Sequence, residues 1–426
     1  MSSLFKHTRR QLIGSMVGLS AGLMLSQGAF SQTRAKLVIV GGGFGGASAA
    51  RALKTLLPNA DITLVEPNQS YVACPFSNLV IAGERDAQLQ VFSYDRLRAE
   101  GIRVVHARAV EVNTAANILI LDDESAFPFD RLIMSPGIDL RENALEGYTP
   151  EAYDAMPHAW KAGAQTTLLA RQLRAMPDDG TVVMSVPAAP YRCPPGPYER
   201  ASLIAHFLKT QKPRAKLIIL DAKDQFSKKP LFLEAWAEHY PDHLEWRSAT
   251  DDGRVSRVDR LRMTVETDFE TFSPDVANII PPQKAAAIAE EAGVADATGW
   301  CPIDPISFES TLQSDIHVIG DASIAAPMPK SAFAANAQAK LCAIQVARLV
   351  SGVAPSPSIL ANTCYSYITP DHAVSVSGVY SNGSDGFAER PGAGGLSPAE
   401  ADDAVREVEA AQADAWFSAI TAEAFV

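Results

Sequence analysis

The chain has 426 residues, 47% of them apolar and 20% charged, with a formal net charge of −12. That length accommodates about three domains, and the apolar fraction is ordinary for a folded globular protein. The excess of 49 acidic over 37 basic residues argues against nucleic acid or an anionic membrane as a partner. It leaves a basic partner or a simply solvated surface.

The N-terminus reads as a targeting segment over residues 1–31. Thr8-Arg9-Arg10-Gln11-Leu12 is a twin-arginine pattern, followed by an apolar stretch broken by Gly14, Gly18, Ser20 and Gly22. Small residues at Ala29 and Ser31 offer a cleavage site. The stretch is short and glycine-broken for a spanning helix, so an uncleaved anchor is the lesser alternative. The twin-arginine route is a receptor-read address and not an anchor. It carries folded proteins, which suits a chain that loads a cofactor before export to the periplasm. The segment holds Lys6, Arg9 and Arg10 and no acid, so its removal leaves the rest more acidic still.

Lys36–Val40 is a buried parallel-strand signal. It leads into Gly41-Gly42-Gly43-Phe44-Gly45-Gly46 and then a helical run over Ala47–Leu57. A second strand, Asp61–Val65, ends in Glu66. This order of strand, glycine turn, helix, strand and acid is the dinucleotide fingerprint. Gly41 permits the tight turn, Gly43 lets a pyrophosphate approach the backbone, and Gly46 allows helix to pack on strand. Glu66 is placed for the adenosine ribose, which makes FAD the expected cofactor.

Pro67–Gly83 reads as a loop, followed by a helix near Tyr94–Glu100 and strands at Ile102–Val112 and Asn117–Leu121. Arg131–Gly137 reads as a strand returning to the first sheet. Residues 155–285 form a second α/β unit, with strands at Thr181–Val186 and Lys216–Asp221 and a helix over Glu199–Thr210. The turn after Thr181–Val186 is where a second nucleotide loop would stand. It carries prolines, Tyr191, Arg192 and Cys193 instead of glycines, which removes the close backbone approach that phosphate needs. The unit therefore reads as lacking an NAD(P) site.

Ile316–Ile319 is a strand that ends in Gly320-Asp321, where an aspartate of such a strand meets the ribityl chain or pyrophosphate. The helix from Ser331 can aim its N-terminus at the flavin. Lys330 stands at its start, near the flavin or merely solvated. Gly352–Pro357 is a linker, and beyond it lie a β-like region at Tyr365–Val379, a glycine-rich loop at Ser381–Gly395 and an acidic helix over Pro398–Thr421. On that helix Trp416 is the better candidate to cover the flavin and Phe417 a second, with ordinary packing open for both.

All five cysteines, Cys74, Cys193, Cys301, Cys342 and Cys364, lie beyond the targeting segment. An oxidising compartment would let a disulfide persist. Their spacing fits neither a zinc site nor a c-type haem attachment, so any haem belongs on another chain. His239 and His243 straddle Pro241, and no metal site is expected. Cys301 and Cys342 read as small buried residues.

The motifs VIVGGGFGG, YVACPFSNLVIAG, YRCPPGPYERA, FESTLQSDIHVIGDA and NTCYSYI resemble the flavoprotein subunit of flavocytochrome c sulfide dehydrogenase over essentially the whole chain beyond residue 31. The motifs also resemble the related sulfide:quinone oxidoreductases and, more distantly, the glutathione reductase class. The resemblance implies that Cys193 and Cys364, 171 residues apart, form a redox-active disulfide beside FAD. From the residues alone, a plain structural disulfide or two buried thiols stay open. It also implies an acid/base role for Glu199, which is otherwise a helix N-terminal acid, and a covalent bond from Cys74 to the flavin, where a small core residue is the alternative.

The expected fold is two doubly wound Rossmann-like α/β domains plus a small C-terminal α+β domain. The FAD-binding domain takes residues 34–150 and 293–352, the second unit 151–292, and the C-terminal flavin-covering or interface domain 356–426. The expected activity is periplasmic oxidation of sulfide to sulfur or polysulfide, with electrons passed to a c-type cytochrome subunit. The alternatives are a sulfide:quinone oxidoreductase, disfavoured by the acidic tail Glu400–Glu423, and a non-catalytic flavin-binding electron carrier.

Overall fold

A computed structural model describes residues 34–426 of the chain. The twin-arginine segment lies outside the described residues. The first sheet is wholly parallel. Its strands run Ile316–Val318, Arg131–Met134, Lys36–Val40, Asp61–Val65 and Arg103–Val105 from edge to edge. Lys36–Val40 and Asp61–Val65 are buried on every residue after the first, the pattern of a sheet covered on both faces. The helices Phe44–Leu56 and Ala332–Val350 pack against each other beside this sheet.

The second sheet is also parallel, ordered Leu244–Arg247, Lys216–Asp221, Thr181–Val186, Val276–Ile279. Alternation along Thr181–Val186 divides its burial between two faces. Val182, Met184 and Val186 enter the main core, whereas Val183 joins a smaller cluster with Ile218, Leu220, Tyr148, Met156 and Phe272. An antiparallel ribbon of Arg257–Asp259, Thr264–Glu266 and Thr271–Phe272 supplies the outer part of that cluster.

The C-terminal part is a hairpin of Ile359–Tyr367 with Ala373–Gly383, in which Cys364 stands opposite Val376. The helix Asp403–Ala424 lies on this hairpin. Its end is pinned to the first domain. The Arg51 guanidinium donates to the carbonyls of Ala422 and Glu423 at 2.8 and 2.7 Å while also pairing with Glu100. The Phe425 ring stacks on Tyr71 and Phe92. One hydrophobic core runs through all three parts, and Ala35–Val426 forms one unit.

Two segments read as loops hold regular structure. Pro67–Gly83 contains the strand Ser70–Val72 and the helix Ser77–Ala82. The helix is only six residues long and wholly buried, so packing rather than periodicity makes it. Ser381–Gly395 contains the strand Gly386–Glu389, paired with the end of Ala373–Gly383 despite its glycines. The terminal helix starts at Asp403 and not at Pro398, because the Asp402 carboxylate accepts from the Val405 amide and caps it there.

Candidate active site

The turn after Lys36–Val40 forms as its glycines require. Gly41 sits at φ +96°, and a Cβ there would stand 2.2 Å from the Ser135 carbonyl oxygen. A Cβ on Gly46 would lie 1.8 Å from the Gly41 carbonyl oxygen, so helix and turn meet backbone to backbone. Glu66 accepts from the Gly42 amide at 2.8 Å and from Asn68 through its other oxygen.

This turn opens on a cavity of about 660 Å³, lined in part by Gly41, Gly42, Gly43, Glu66, Cys74, Cys193, Glu199, Gly320, Asp321, Cys364 and Trp416. Its size lies within the range of sites for organic ligands. Among the helix N-termini that border it are those at Phe44 and at Ala332. Each presents amides that lack intrahelical acceptors. The Asp321 carboxyl is buried in the wall, and its Oδ1 has no hydrogen-bond partner among the described residues. Burial pushes its pKa up, against the pull of Arg192 and Lys330. An unpaired buried acceptor at the end of Gly320-Asp321, two aimed helix ends and a glycine cradle fit FAD, whose ribityl hydroxyls would satisfy that oxygen.

Cys193 and Cys364 reach the cavity from different parts of the fold. Cys193 lies on the turn after Thr181–Val186 at φ +56°, an unusual setting for a residue with a side chain. Its amide donates to the Lys330 carbonyl at 2.7 Å. Cys364 lies mid-strand on the hairpin, and its Sγ accepts from the Asn362 amide at 3.4 Å. Asn362 is itself held by the Ser331 hydroxyl at 2.6 Å. Both sulfurs touch the cavity and are otherwise enclosed by protein. Burial raises both thiols above their ordinary range, and Cys364 adds to the rise at Cys193.

Glu199 stands on the first turn of the helix Gly196–Gln211. One oxygen accepts from the Tyr367 amide at 3.0 Å and the other from the Asn78 side chain at 2.6 Å. Burial raises its pKa, an effect these hydrogen bonds partly offset. Cys74 lies between Ser70–Val72 and Ser77–Ala82 and lines the cavity. Trp416 lines it too, its ring parallel to Phe333 with centroids 6.2 Å apart. Phe417 is buried instead against Phe76 and Phe92.

Lys330 is not among the residues that line the cavity. Its ammonium donates to the Asp321 and Ser323 carbonyls at 2.8 and 2.7 Å and lies 3.9 Å from the centre of the Trp300 ring. It is therefore not a solvated lysine. It braces the backbone on both sides of the site. Cys301 and Cys342 are buried away from the cavity wall.

Sequence reasoning missed several members of this wall. Arg192 faces Asp321 at 3.9 Å and donates to the Trp160 carbonyl. Arg200, only 3% exposed, donates to Asn78, Asn278 and the carbonyls of His158 and Ala159. Asn78, Arg192 and Arg200 all lie inside the motifs quoted above, so they were within reach. Trp160 stands beside Cys193 with no such signal in the sequence around it.

The geometry defines a flavin-dependent oxidoreductase built on two nucleotide-type folds. Residues 35–173 match the family described as pyridine nucleotide-disulphide oxidoreductase. Residues 166–281 match the central part of the sulfide dehydrogenase [flavocytochrome c] flavoprotein chain, and 356–425 match the flavin-binding part of flavocytochrome c sulphide dehydrogenase. The chain belongs to this flavocytochrome c sulfide dehydrogenase flavoprotein family. It is 58% identical over 45 residues to the flavoprotein chain from Chlorobaculum thiosulfatiphilum, covering 94% of that sequence and 11% of this one. It is 24% identical over 314 residues to the mitochondrial sulfide:quinone oxidoreductase of Mus musculus, covering 71% of this chain and 68% of that one. The sulfide:quinone oxidoreductase structure from Aquifex aeolicus superposes with a TM-score of 0.70 at 15% identity, over 91% of this chain and 92% of that one. That likeness is one of fold.

Proposed function

We propose that this chain oxidises sulfide through a Cys193–Cys364 disulfide and FAD, and hands the electrons to a c-type cytochrome subunit that carries the haem. The observation that carries the reading is a single cavity bordered at once by the glycine cradle, Cys74, Cys193, Glu199 and Cys364. Hydrosulfide adds to one sulfur of the disulfide. A new S–S bond forms as a persulfide, the old one breaks, and the second cysteine leaves as a thiolate. A second hydrosulfide removes the outer sulfur as the disulfide anion HSS⁻ and leaves a thiol. Closure of the thiol and thiolate back to the disulfide releases one proton and two electrons. FAD, when bound, accepts that pair. Over the cycle, two hydrosulfides yield HSS⁻, one proton and two electrons. Glu199, half-buried at the cavity wall and protonated more readily than an exposed carboxyl, can take up and return the proton. Gly43, Glu66 and Asp321 would hold the cofactor, with Cys74 as the covalent tether and Trp416 covering the ring. Export by the twin-arginine route would place the reaction in the periplasm.

A quinone acceptor is the second reading, supported by the name of the mitochondrial relative. Against it, the terminal helix carries Asp403, Glu407, Glu409, Asp414 and Glu423, where an apolar, membrane-facing tail would be needed. No helix among the described residues is long and apolar enough to cross a membrane. Anaerobic titration of the purified flavoprotein with sulfide and, separately, with NADH tests the donor. Bleaching of the flavin by sulfide alone, reversed by oxidised cytochrome c, is the expected result. Bleaching by NADH alone would make this a pyridine-nucleotide reductase, and reoxidation only by a quinone would move the acceptor.

A further inference from the structure

Lys228 belongs to the second α/β unit and does not line the cavity, yet its charge is spent on the cysteine pair. It precedes the helix Lys229–His239, is 3% exposed and sits at φ +63°. Its ammonium donates to the Cys364 carbonyl at 2.9 Å, the Ser366 hydroxyl at 2.7 Å and the Val374 carbonyl at 3.2 Å. All three protons therefore grip the two hairpin strands at the cysteine. A lysine is seldom buried unless paired. The groups facing this one are Cys193 on the turn, Glu199 on the helix Gly196–Gln211, Cys364 on the hairpin and Glu409 on the terminal helix, with the Phe232 ring at 5.7 Å. Glu409 is already engaged by Ser375, Ser397 and Arg406, which leaves the cysteine pair and Glu199 as the groups this cation can serve. Cys364 has Asn362 and Lys228 around it, with Tyr380 on the paired strand. The Cys193 sulfur packs over Gly196, where the Trp160 ring also crowds in, and faces Arg192 and Arg200, whose guanidiniums are already bonded to the carbonyls of Trp160, His158 and Ala159 and to Asn78 and Asn278.

Resting on the redox-pair reading above, we propose that Lys228 is a positioning residue that makes Cys364, and not Cys193, the sulfur that keeps the negative charge when the disulfide opens. Hydrosulfide then adds to the Cys193 sulfur. The new S–S bond is on Cys193, the bond between the cysteines breaks, and its electron pair stays on Cys364 as the thiolate. Burial lowers the Lys228 pKa to about 8, against the pull of Cys364 and Glu199. The preference therefore fades in alkaline solution.

The test reduces the holoenzyme anaerobically, pulses it with iodoacetamide across a pH series and quantifies each cysteine peptide by mass spectrometry. Cys364 should alkylate with a lower midpoint than Cys193. Lys228→Met should raise the Cys364 midpoint by about one pH unit or more, and Lys228→Arg should restore the order. One equivalent of sulfide given to the oxidised enzyme should leave its persulfide on the Cys193 peptide. An unmoved Cys364 midpoint in Lys228→Met, or a persulfide on Cys364, overturns the proposal. Should Lys228→Met not accumulate as holoenzyme, Ser366→Ala removes one of the three contacts and should shift Cys364 less but in the same direction; no shift counts against Lys228. Peptide mapping of the untreated enzyme separates the two levels. Absence of a Cys193–Cys364 disulfide removes the underlying reading as well, whereas its presence with an unmoved Cys364 midpoint removes only the role of Lys228.

Discussion

The two parallel sheets end in turns that occupy equivalent places and do opposite things. After Lys36–Val40 the chain turns through three glycines, and the helix Phe44–Leu56 aims its free amides into the cavity. After Thr181–Val186 it turns through Pro187, Pro190, Pro194 and Pro195, which carry no N–H. The donors nearest the cavity are taken. The Arg192 amide bonds Gln283, the Cys193 amide bonds Lys330, and the Gly196 amide bonds the Cys193 carbonyl. The first turn suits an anion because its backbone carries no side chains and because, past the bonded amides of Gly41 and Gly42, the helix Phe44–Leu56 begins with free ones. The second offers phosphate little, because along Arg192–Gly196 its backbone is proline or already bonded, and what it presents to the cavity is a sulfur. A shared topology thus sets where a ligand sits, while the chemistry is set by a handful of residues at the strand end.

The largest effect should come from the second turn. Cys193→Ser or Cys364→Ser should lower the rate of sulfide-driven flavin reduction by on the order of 10³-fold or more, measured anaerobically by stopped flow, with flavin content unchanged. Undiminished reduction in Cys193→Ser would reduce the second turn to scaffolding, and in Cys364→Ser would take the hairpin sulfur out of the reaction. Glu199→Gln comes next. It should slow the proton-dependent steps by about 10²-fold. It should also cost about 1–3 kcal/mol, because a glutamine amide placed toward Asn78 meets another donor. Asn78 cannot simply turn over, since its oxygen accepts from Arg200 at 3.0 Å. The sign of the pH effect follows from the raised pKa of the native carboxyl. The native state holds a proton that the unfolded state releases, so wild-type stability falls as pH climbs from the ordinary carboxylate range through the native value. Denaturant melts across that window should show the fall flattened in Glu199→Gln; parallel slopes would mean that Glu199 titrates normally.

The first turn should break differently. Gly41→Ala puts a side chain at φ +96° and against the Ser135 carbonyl. A loss of about 1–3 kcal/mol is expected, together with reduced flavin content after purification. The same substitution with full flavin and an unchanged melting temperature would show that the cradle tolerates a side chain and is not shaped around phosphate.

Legibility followed the same division. The first turn could be read from the chain because its fingerprint is local: strand, glycines, helix and acid lie within residues 36–66. The strands Thr181–Val186 and Lys216–Asp221 came out with their observed bounds, since buried β-branched runs announce themselves. That Cys193 and Cys364 border one cavity was legible only through resemblance, because spacing along the chain says nothing about where a turn and a distant hairpin strand place their sulfurs. Lys228 was invisible for a related reason. A lysine in QFSKKP reads as solvated, and only the packed hairpin turns it inward. The helix Ser77–Ala82 failed on length, since six residues hold a helix only when neighbours bury them.

The smallest expected effect sharpens the comparison at the margin of the first turn. Cys74 lines the same cavity as Gly41–Gly43 and stands on a segment tied by its own backbone, where the Ser77 amide donates to the Cys74 carbonyl at 3.0 Å. A serine matches the thiol closely in shape, so Cys74→Ser should change stability by less than about 1 kcal/mol. The remaining contacts, from the glycine turn, Glu66 and Asp321, still hold the cofactor, so the variant should keep its flavin through gel filtration. Acid precipitation separates the two kinds of attachment, since it unfolds the protein and leaves only a covalent bond in place. Wild-type flavin should stay with the precipitate and that of Cys74→Ser should pass into the supernatant. Wild-type flavin found wholly in the supernatant would mean that both turns hold the cofactor by shape and charge alone, and that Cys74 is a wall residue.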